Sequence, residues 1–298
     1  MIGIFDSGIG GLTVVRELER QAPDVPFIYL GDTARTPYGN KSAETVVRYA
    51  LEDAAFLVGQ GATAIVIACN SASAVATEAL RAAYPSIPVF EVVTPAAEDA
   101  LAATKGRIGV IGTRATIASG AYERALGAGR QKSAVRRKES SVLSPQSSVD
   151  SGLRTQDFGP KVSIAVAACP LFVPLVEEGW LEDAETKRIA RRYLSPLRSK
   201  QIDTLILGCT HYPLLAPVIK RYMGNRVTLI DSGASVVRRV LRDSPQSSVP
   251  SPQSTRNSEL GTRNSFFLTD TSARSEEIAA TWLGHPVTFE RADLSCHP

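Results

Sequence analysis

The chain has 298 residues, 44% hydrophobic and 21% charged, with a formal net charge of +3. That length suits one large or two ordinary globular domains, and a charge so small and so spread argues against a nucleic-acid partner. No apolar run approaches the ~18 residues of a bilayer span, and the opening MIGIFDSG has no basic, then apolar, leader pattern. A cytoplasmic, membrane-free protein is expected. Its four cysteines, Cys69, Cys169, Cys209 and Cys296, are then thiols. With no CxxC and three histidines, no metal site is expected.

The first half of the chain alternates strands and helices. A strand is predicted over Met1–Phe5, a glycine-rich turn over Asp6–Gly11 and a helix over Leu12–Gln21. The turn lacks GxGxxG, so it is not a dinucleotide fingerprint. A strand Phe27–Leu30, a Thr36–Gly39 turn and a helix Ser42–Gly59 follow. A strand ending at Cys69, a helix from about Ser73 to Ala83 and a strand Pro88–Val93 complete this half. The pattern then restarts, with a helix from Thr94 to about Thr104, a strand Arg107–Ile111 and a helix Ala115–Leu126. Later strands are predicted over Val162–Ala168, the run before Cys209, Val227–Ile230, Phe266–Thr269 and Val287–Phe289. The later helices fall near Ala184–Leu197, Pro217–Tyr222, Ala234–Leu241 and Ser275–Leu283. Such alternation predicts α/β parallel sheets.

IGIFDSGIGG and IGVIGTRATI each read as a strand, a small-residue turn and a helix, so two related halves are expected. Asp6 to Cys69 spans 63 positions and Gly112 to Cys209 spans 97. Residues 130–161, rich in Ser, Gln and charge, account for the excess. They read as a low-complexity surface insertion that buries no core. A second insertion, residues 243–265, shares SPQSSV with the first. The resulting division is residues 1–93 with 236–298, and residues 94–235. The expected fold is two flavodoxin-like parallel-sheet α/β domains related by a pseudo-twofold, with the site in the cleft between them.

Two stretches carry the chemistry. AIVIACNSA (Ala64–Ala72) and LILGCTHYP (Leu205–Pro213) are each an apolar run ending in a cysteine, with polar residues next. In open parallel sheets ligands gather at the carboxyl ends of strands. A carbon acid beside a carboxylate is inverted by two bases, one on each face, and two pseudo-equivalent cysteines suit that task. Thiolate is the active form, and a helix N-terminus favours it. Asp6 and His211 are the candidate proton acceptors beside the two thiols. Nearby hydroxyls, amides and backbone N–H groups would hold the substrate's charged groups.

Six segments in order, DSGIGGLTV, GDTARTPYG, CNSAS, CPLFVPLVEEG, GCTHYP and LIDSG, resemble the glutamate racemases, members of the cofactor-independent aspartate/glutamate racemases. The resemblance covers nearly the whole chain outside the two insertions. It implies interconversion of L- and D-glutamate without pyridoxal phosphate or any other cofactor, supplying D-glutamate for peptidoglycan. It implies Cys69 and Cys209 as the acid/base pair, with Asp6 beside the first and His211 beside the second. Glu177 matches a further acidic site residue. Asp6-Ser7, Tyr38-Gly39, Asn70-Ser71 and Thr210-His211 match substrate-contacting pairs, with Thr113 and Thr116 as additions. Dimers occur in the family, which leaves a homodimer open. Ser71 stands where the family usually has threonine. A racemase for aspartate or another amino acid, and a non-catalytic racemase-like binding protein, are the alternative readings.

Each of these residues has a plainer reading. Buried cysteines are mostly small core hydrophobes, and that is the reading for Cys169. Cys296 falls in a fraying terminus. Asp6 alone would be an Asx turn or helix cap. Tyr38 in a Pro-Tyr-Gly turn could be packing alone, and Glu177 with Glu178 a solvated helix end. His285 and His297 read as surface residues.

Overall fold

The computed structural model describes residues 1–135, 148–150, 153–157, 162–244 and 264–294. The chain divides into two compact units, Met1–Glu91 with Val236–Pro298, and Val92–Ser235.

The first unit begins with β1 (Ile2–Asp6), α1 (Leu12–Gln21), β2 (Phe27–Gly31), α2 (Ala43–Gly59), β3 (Ala64–Ile67), α3 (Asn70–Ala83) and β4 (Val89–Glu91). Every residue of β1, β2 and β3 is buried. That is the signature of parallel strands covered on both faces, where alternation gives way to a continuous apolar run. Phe5, Leu30, Ile65 and Ile67 pack with Ala50, Ala54 and Leu57 of α2 and Ala72, Ala76 and Leu80 of α3. Each large aliphatic side chain removed from water here contributes about 1.5–3 kcal/mol. The Ser42 hydroxyl starts α2 by accepting from the Thr45 amide at 3.3 Å.

The second unit follows with α4 (Val93–Ala103), β5 (Arg107–Gly112), α5 (Arg114–Ser119), α6 (Ala121–Val135), β6 (Ser148–Asp150), β7 (Leu153–Asp157) and β8 (Ser163–Ala168). Then come α7 (Phe172–Glu177), α8 (Ala184–Ser199), β9 (Thr204–Gly208), α9 (Ala216–Met223), β10 (Thr228–Asp231) and α10 (Ser232–Asp243), whose last turns lie past the unit boundary. The first unit is completed by β11 (Ser265–Leu268), α11 (Ala273–Leu283) and β12 (Glu290–Arg291).

The first sheet runs β12-β11-β2-β1-β3-β4 and the second β10-β9-β5-β8-β7-β6. Reading each unit's parallel strands in chain order, both sheets contain the sequence second, first, third, fourth: β2-β1-β3-β4 and β8-β5-β9-β10. This is the flavodoxin-like order. The expectation of two related α/β halves therefore holds at the level of strand order.

Several boundaries differ from the sequence reading. The helix expected over Ala115–Leu126 is two helices, because Gly120 takes a left-handed φ of 68° that ends α5 and starts α6. Residues 130–161 are not wholly outside the fold. α6 runs on to Val135, and β6 and β7 form an antiparallel edge, with β7 paired to β8 from Leu153↔Ala167 to Asp157↔Ser163. An edge strand needs only main-chain partners, so a composition too polar for a core does not preclude it. The last strand lies at Glu290–Arg291 rather than Val287–Phe289. Most of the second insertion, 245–263, lies outside the described residues, as do Cys296 and His297. Among the described residues no helix is long and apolar enough to cross a membrane, and no group of metal-ligating side chains gathers.

Candidate functional site

In the first unit the register of β1 against β3 pairs Phe5 with Ile67. Two steps further on, Ser7 comes level with Cys69. The Cys69 thiol donates to Ser7 Oγ at 3.4 Å. Cys69 is 5% exposed and caps α3, its carbonyl accepting from the Ser73 amide at 2.8 Å. The helix thus begins three residues earlier than its sequence suggested. The thiol stands at the positive end of a 14-residue helix dipole, whose first turn holds the buried Asn70 and Ser71. The Ser73 hydroxyl donates to Ile67 O at 3.0 Å and ties that turn to β3.

Asp6, at the end of β1, is 1% exposed, and its Oδ2 accepts from the Gly8 amide at 3.1 Å. The Asx-turn role read from sequence is therefore present. A Cβ on Gly11 would fall 2.6 Å from Asp6 Cβ, so only glycine leaves the carboxylate its place. Burial, then the neighbouring Asp6 and Cys69, push the Tyr29 phenol above its usual range. Its hydroxyl donates to Gly8 O at 2.6 Å.

In the second unit β5 and β9 pair Gly112 with Gly208, which brings Thr113 level with Cys209. A hydroxyl residue just past the neighbouring strand therefore comes level with each thiol. The two candidate acid/base residues differ in origin. Asp6 comes from the adjacent strand, whereas His211 lies two residues past its own thiol. His211 Nδ1 is 3.8 Å from Cys209 Sγ and 3.5 Å from Thr210 Oγ1, and Nε2 is 2.9 Å from Glu177 Oε1. Burial works against a charge on this imidazole. The hydrogen bonds and negative charges of Cys209 and Glu177 outweigh it and raise the His211 pKa to about 10. The ring is thus an imidazolium at neutral pH. It is a proton donor held against the Cys209 sulfur and backed by a carboxylate whose side chain is 40% exposed.

Glu177 closes α7, and aromatic packing holds that helix. The Phe172 ring meets Tyr212 edge-on at 5.3 Å and Tyr193 at 5.4 Å, and the Tyr212 hydroxyl donates to Cys169 O at 2.8 Å. Cys169 is fully buried, its Sγ 3.8 Å from Ala167 O, and burial pushes its thiol up. It is a core residue. Thr113 caps α5, accepting from the Thr116 amide at 3.2 Å, and the two hydroxyls lie 3.0 Å apart.

Tyr38 departs from the pattern. Its side chain is fully buried, and its hydroxyl lies against the carboxylates of Asp32 and of Asp53, the latter at 2.9 Å. The Tyr38 side chain is therefore engaged in this buried network. Asp32 and Arg35 lie in GDTARTPYG itself, yet their pairing with Asp53 of α2 and Thr269 after β11 has no local signal in the sequence. His285 is half exposed and bonds Glu19 Oε2 at 3.1 Å.

Residues 2–240 match the family described as Asp/Glu/Hydantoin racemase. A glutamate racemase of Geobacter metallireducens is 47% identical over 245 residues, covering 81% of this chain and 80% of the relative. The structure of a glutamate racemase isoform from Bacillus anthracis superposes with a TM-score of 0.80 at 34% identity, covering 99% of this chain and 97% of that one. That of Francisella tularensis glutamate racemase in complex with D-glutamate gives a TM-score of 0.78 at 30% identity, covering 99% and 97%.

Proposed function

The chain belongs to the Asp/Glu/hydantoin racemase family and is an amino-acid racemase, and on that premise we propose that it interconverts L- and D-glutamate by two-thiol proton transfer, without pyridoxal phosphate. The observation that carries the reading is the equivalence of Cys69 and Cys209. Both follow the third strand of the same strand order, level with a hydroxyl residue just past the first, with His211 beside Cys209 and Asp6 at the end of the strand next to that of Cys69. The relatives named above support glutamate as the substrate.

The reaction balances without a redox partner. One cysteine, as thiolate, takes the α-proton, and the C–H pair remains on the α-carbon as a carbanion beside the carboxylate. The other cysteine, as thiol, delivers its proton to the opposite face. The enzyme ends with the protons of its thiols exchanged, ready for the reverse substrate. For Cys209, the proton passes between sulfur and ring, imidazolium His211 standing beside the thiolate and neutral His211 beside the thiol, and Glu177 orients the ring and favours its charged form. On the Cys69 side Asp6 is the matching proton carrier. Asn70, Ser71 and Thr210, with the Tyr38-Gly39 main chain, hold the substrate's charged groups. The D-glutamate would serve peptidoglycan synthesis in the cytoplasm.

A panel of L-amino acids including aspartate, followed by chiral detection with no added pyridoxal phosphate, tests the substrate. Turnover of glutamate far above the rest is expected. A better rate on aspartate would overturn the assignment.

A further inference from the structure

A buried polar network lies behind the Tyr38-Gly39 segment. Asp32 receives three donors: Arg35 Nε at 2.7 Å, Thr269 Oγ1 at 2.9 Å and the Tyr38 hydroxyl. Asp53 receives one clear donor, Arg35 Nη2 at 3.0 Å, and its other oxygen faces the Tyr38 hydroxyl at 2.9 Å. Arg35 also bonds Glu52 and lies 4.1 Å over the Tyr49 ring. Both aspartates have fully buried side chains. Three oxygens, of Asp32, Tyr38 and Asp53, therefore make two contacts in a row. Each contact needs a hydrogen, and the phenol supplies one.

We propose that the second hydrogen is a proton held on Asp53, and that Asp53 and Arg35, acting through Tyr38, are positioning residues that set the Pro37–Gly39 main chain for substrate. The positioning half of this statement rests on the functional reading above; the proton does not. With the phenol hydrogen used in one of the two contacts, the other would set a buried anionic oxygen against the phenol oxygen with no hydrogen between them, and one shared guanidinium does not neutralise two buried carboxylates. Arg35 supplies one positive charge against Asp32, Asp53 and Glu52. Burial, then the charge of Asp32, push the Asp53 carboxyl above its usual range. Other charged groups nearby are Arg291 and Asp293, which line a cavity of about 460 Å³ beside Asp32 and Arg35, and Lys41 and Arg48, which flank the Tyr49 ring at 5.9 and 5.2 Å. A neutral Asp53 is donor to Tyr38 and acceptor from Arg35, a pattern that an asparagine amide reproduces.

The test uses the full chain and four variants. In infrared difference spectra at neutral pH, wild type minus Asp53→Asn, the carbonyl band of a protonated carboxylic acid is expected. No such band would overturn the proton. With glutamate, Asp53→Ala and Tyr38→Phe are expected to raise KM about tenfold, the scale of one lost buried hydrogen-bond partner, with kcat within about threefold. Asp53→Asn is expected to rescue KM to within about threefold of wild type, and Asp32→Asn, which removes an acceptor for three donors, to do worse. Asp53→Asn as damaging as Asp53→Ala, or kcat falling with KM unmoved, would overturn the positioning role. A wild type that does not turn over glutamate at all would sink the functional reading, while the infrared band would still decide the proton.

Discussion

His211 Nε2 and Glu177 Oε1 lie 2.9 Å apart, a bond between the residue after Thr210 and the end of a helix 34 positions earlier in the chain. It decides what His211 is. An isolated buried imidazole would be neutral; here Cys209 on one side and Glu177 on the other hold it charged, with a pKa raised to about 10 from an ordinary 6.5. Replacing Glu177 with glutamine removes one of those negative charges. The His211 pKa should fall, and the alkaline limb of the kcat/KM profile should move to lower pH, with a loss of about tenfold or more for an impaired acid/base step. Imidazole NMR titration checks this directly, since the chain has three histidines to assign.

The same shift links to stability. The folded pKa of His211 lies above the unfolded one, so the fold binds the proton more tightly. That contribution is fully present below about pH 6.5 and is lost as pH rises toward about 10. Urea midpoints compared at pH 7 and pH 9.5 should fall more for wild type than for Glu177→Gln. An equal fall would mean that His211 does not carry the linkage.

Cys169→Ala separates a core thiol from the working ones. The side chain is fully buried and its thiol is held protonated by burial. The expected result is a stability loss of about 1 kcal/mol, typical of a small buried truncation, with kcat unchanged. Chemical denaturation and steady-state kinetics check the two halves.

Gly11→Ala should injure the Cys69 side through Asp6. The new Cβ would sit 2.6 Å from Asp6 Cβ and 3.0 Å from the Tyr29 ring, so one of them must move. A loss of about 1–3 kcal/mol is expected from overpacking, together with a lower kcat. Full activity with normal stability would show that Asp6 tolerates displacement.

The two thiol strands were legible because a buried parallel strand writes itself as an unbroken apolar run, and a cysteine at its end stands out. The helix start at Asn70 was less so, since Asn, Ser and Ala are weak markers and Cys69 caps through its backbone. The His211–Cys209 proximity follows from two-residue spacing. The His211–Glu177 bond does not, because it depends on where α7 packs, and that is set by Phe172, Tyr193 and Tyr212. The inward turn of Tyr38 was invisible for a similar reason: its partner Asp53 lies on the buried side of α2, where a lone aspartate in a helix normally reads as solvated. The β6–β7 edge was hidden because main-chain pairing leaves little trace in a Ser- and Gln-rich composition.

The most direct test of the two-thiol account is racemisation in heavy water at low conversion. Starting from L-glutamate, the D-glutamate formed should carry deuterium at the α-carbon while the remaining L-glutamate keeps its hydrogen, and Cys69→Ser and Cys209→Ser should each abolish interconversion. D-glutamate that retains the original α-hydrogen, or near-normal turnover in both directions by either serine variant, would contradict it.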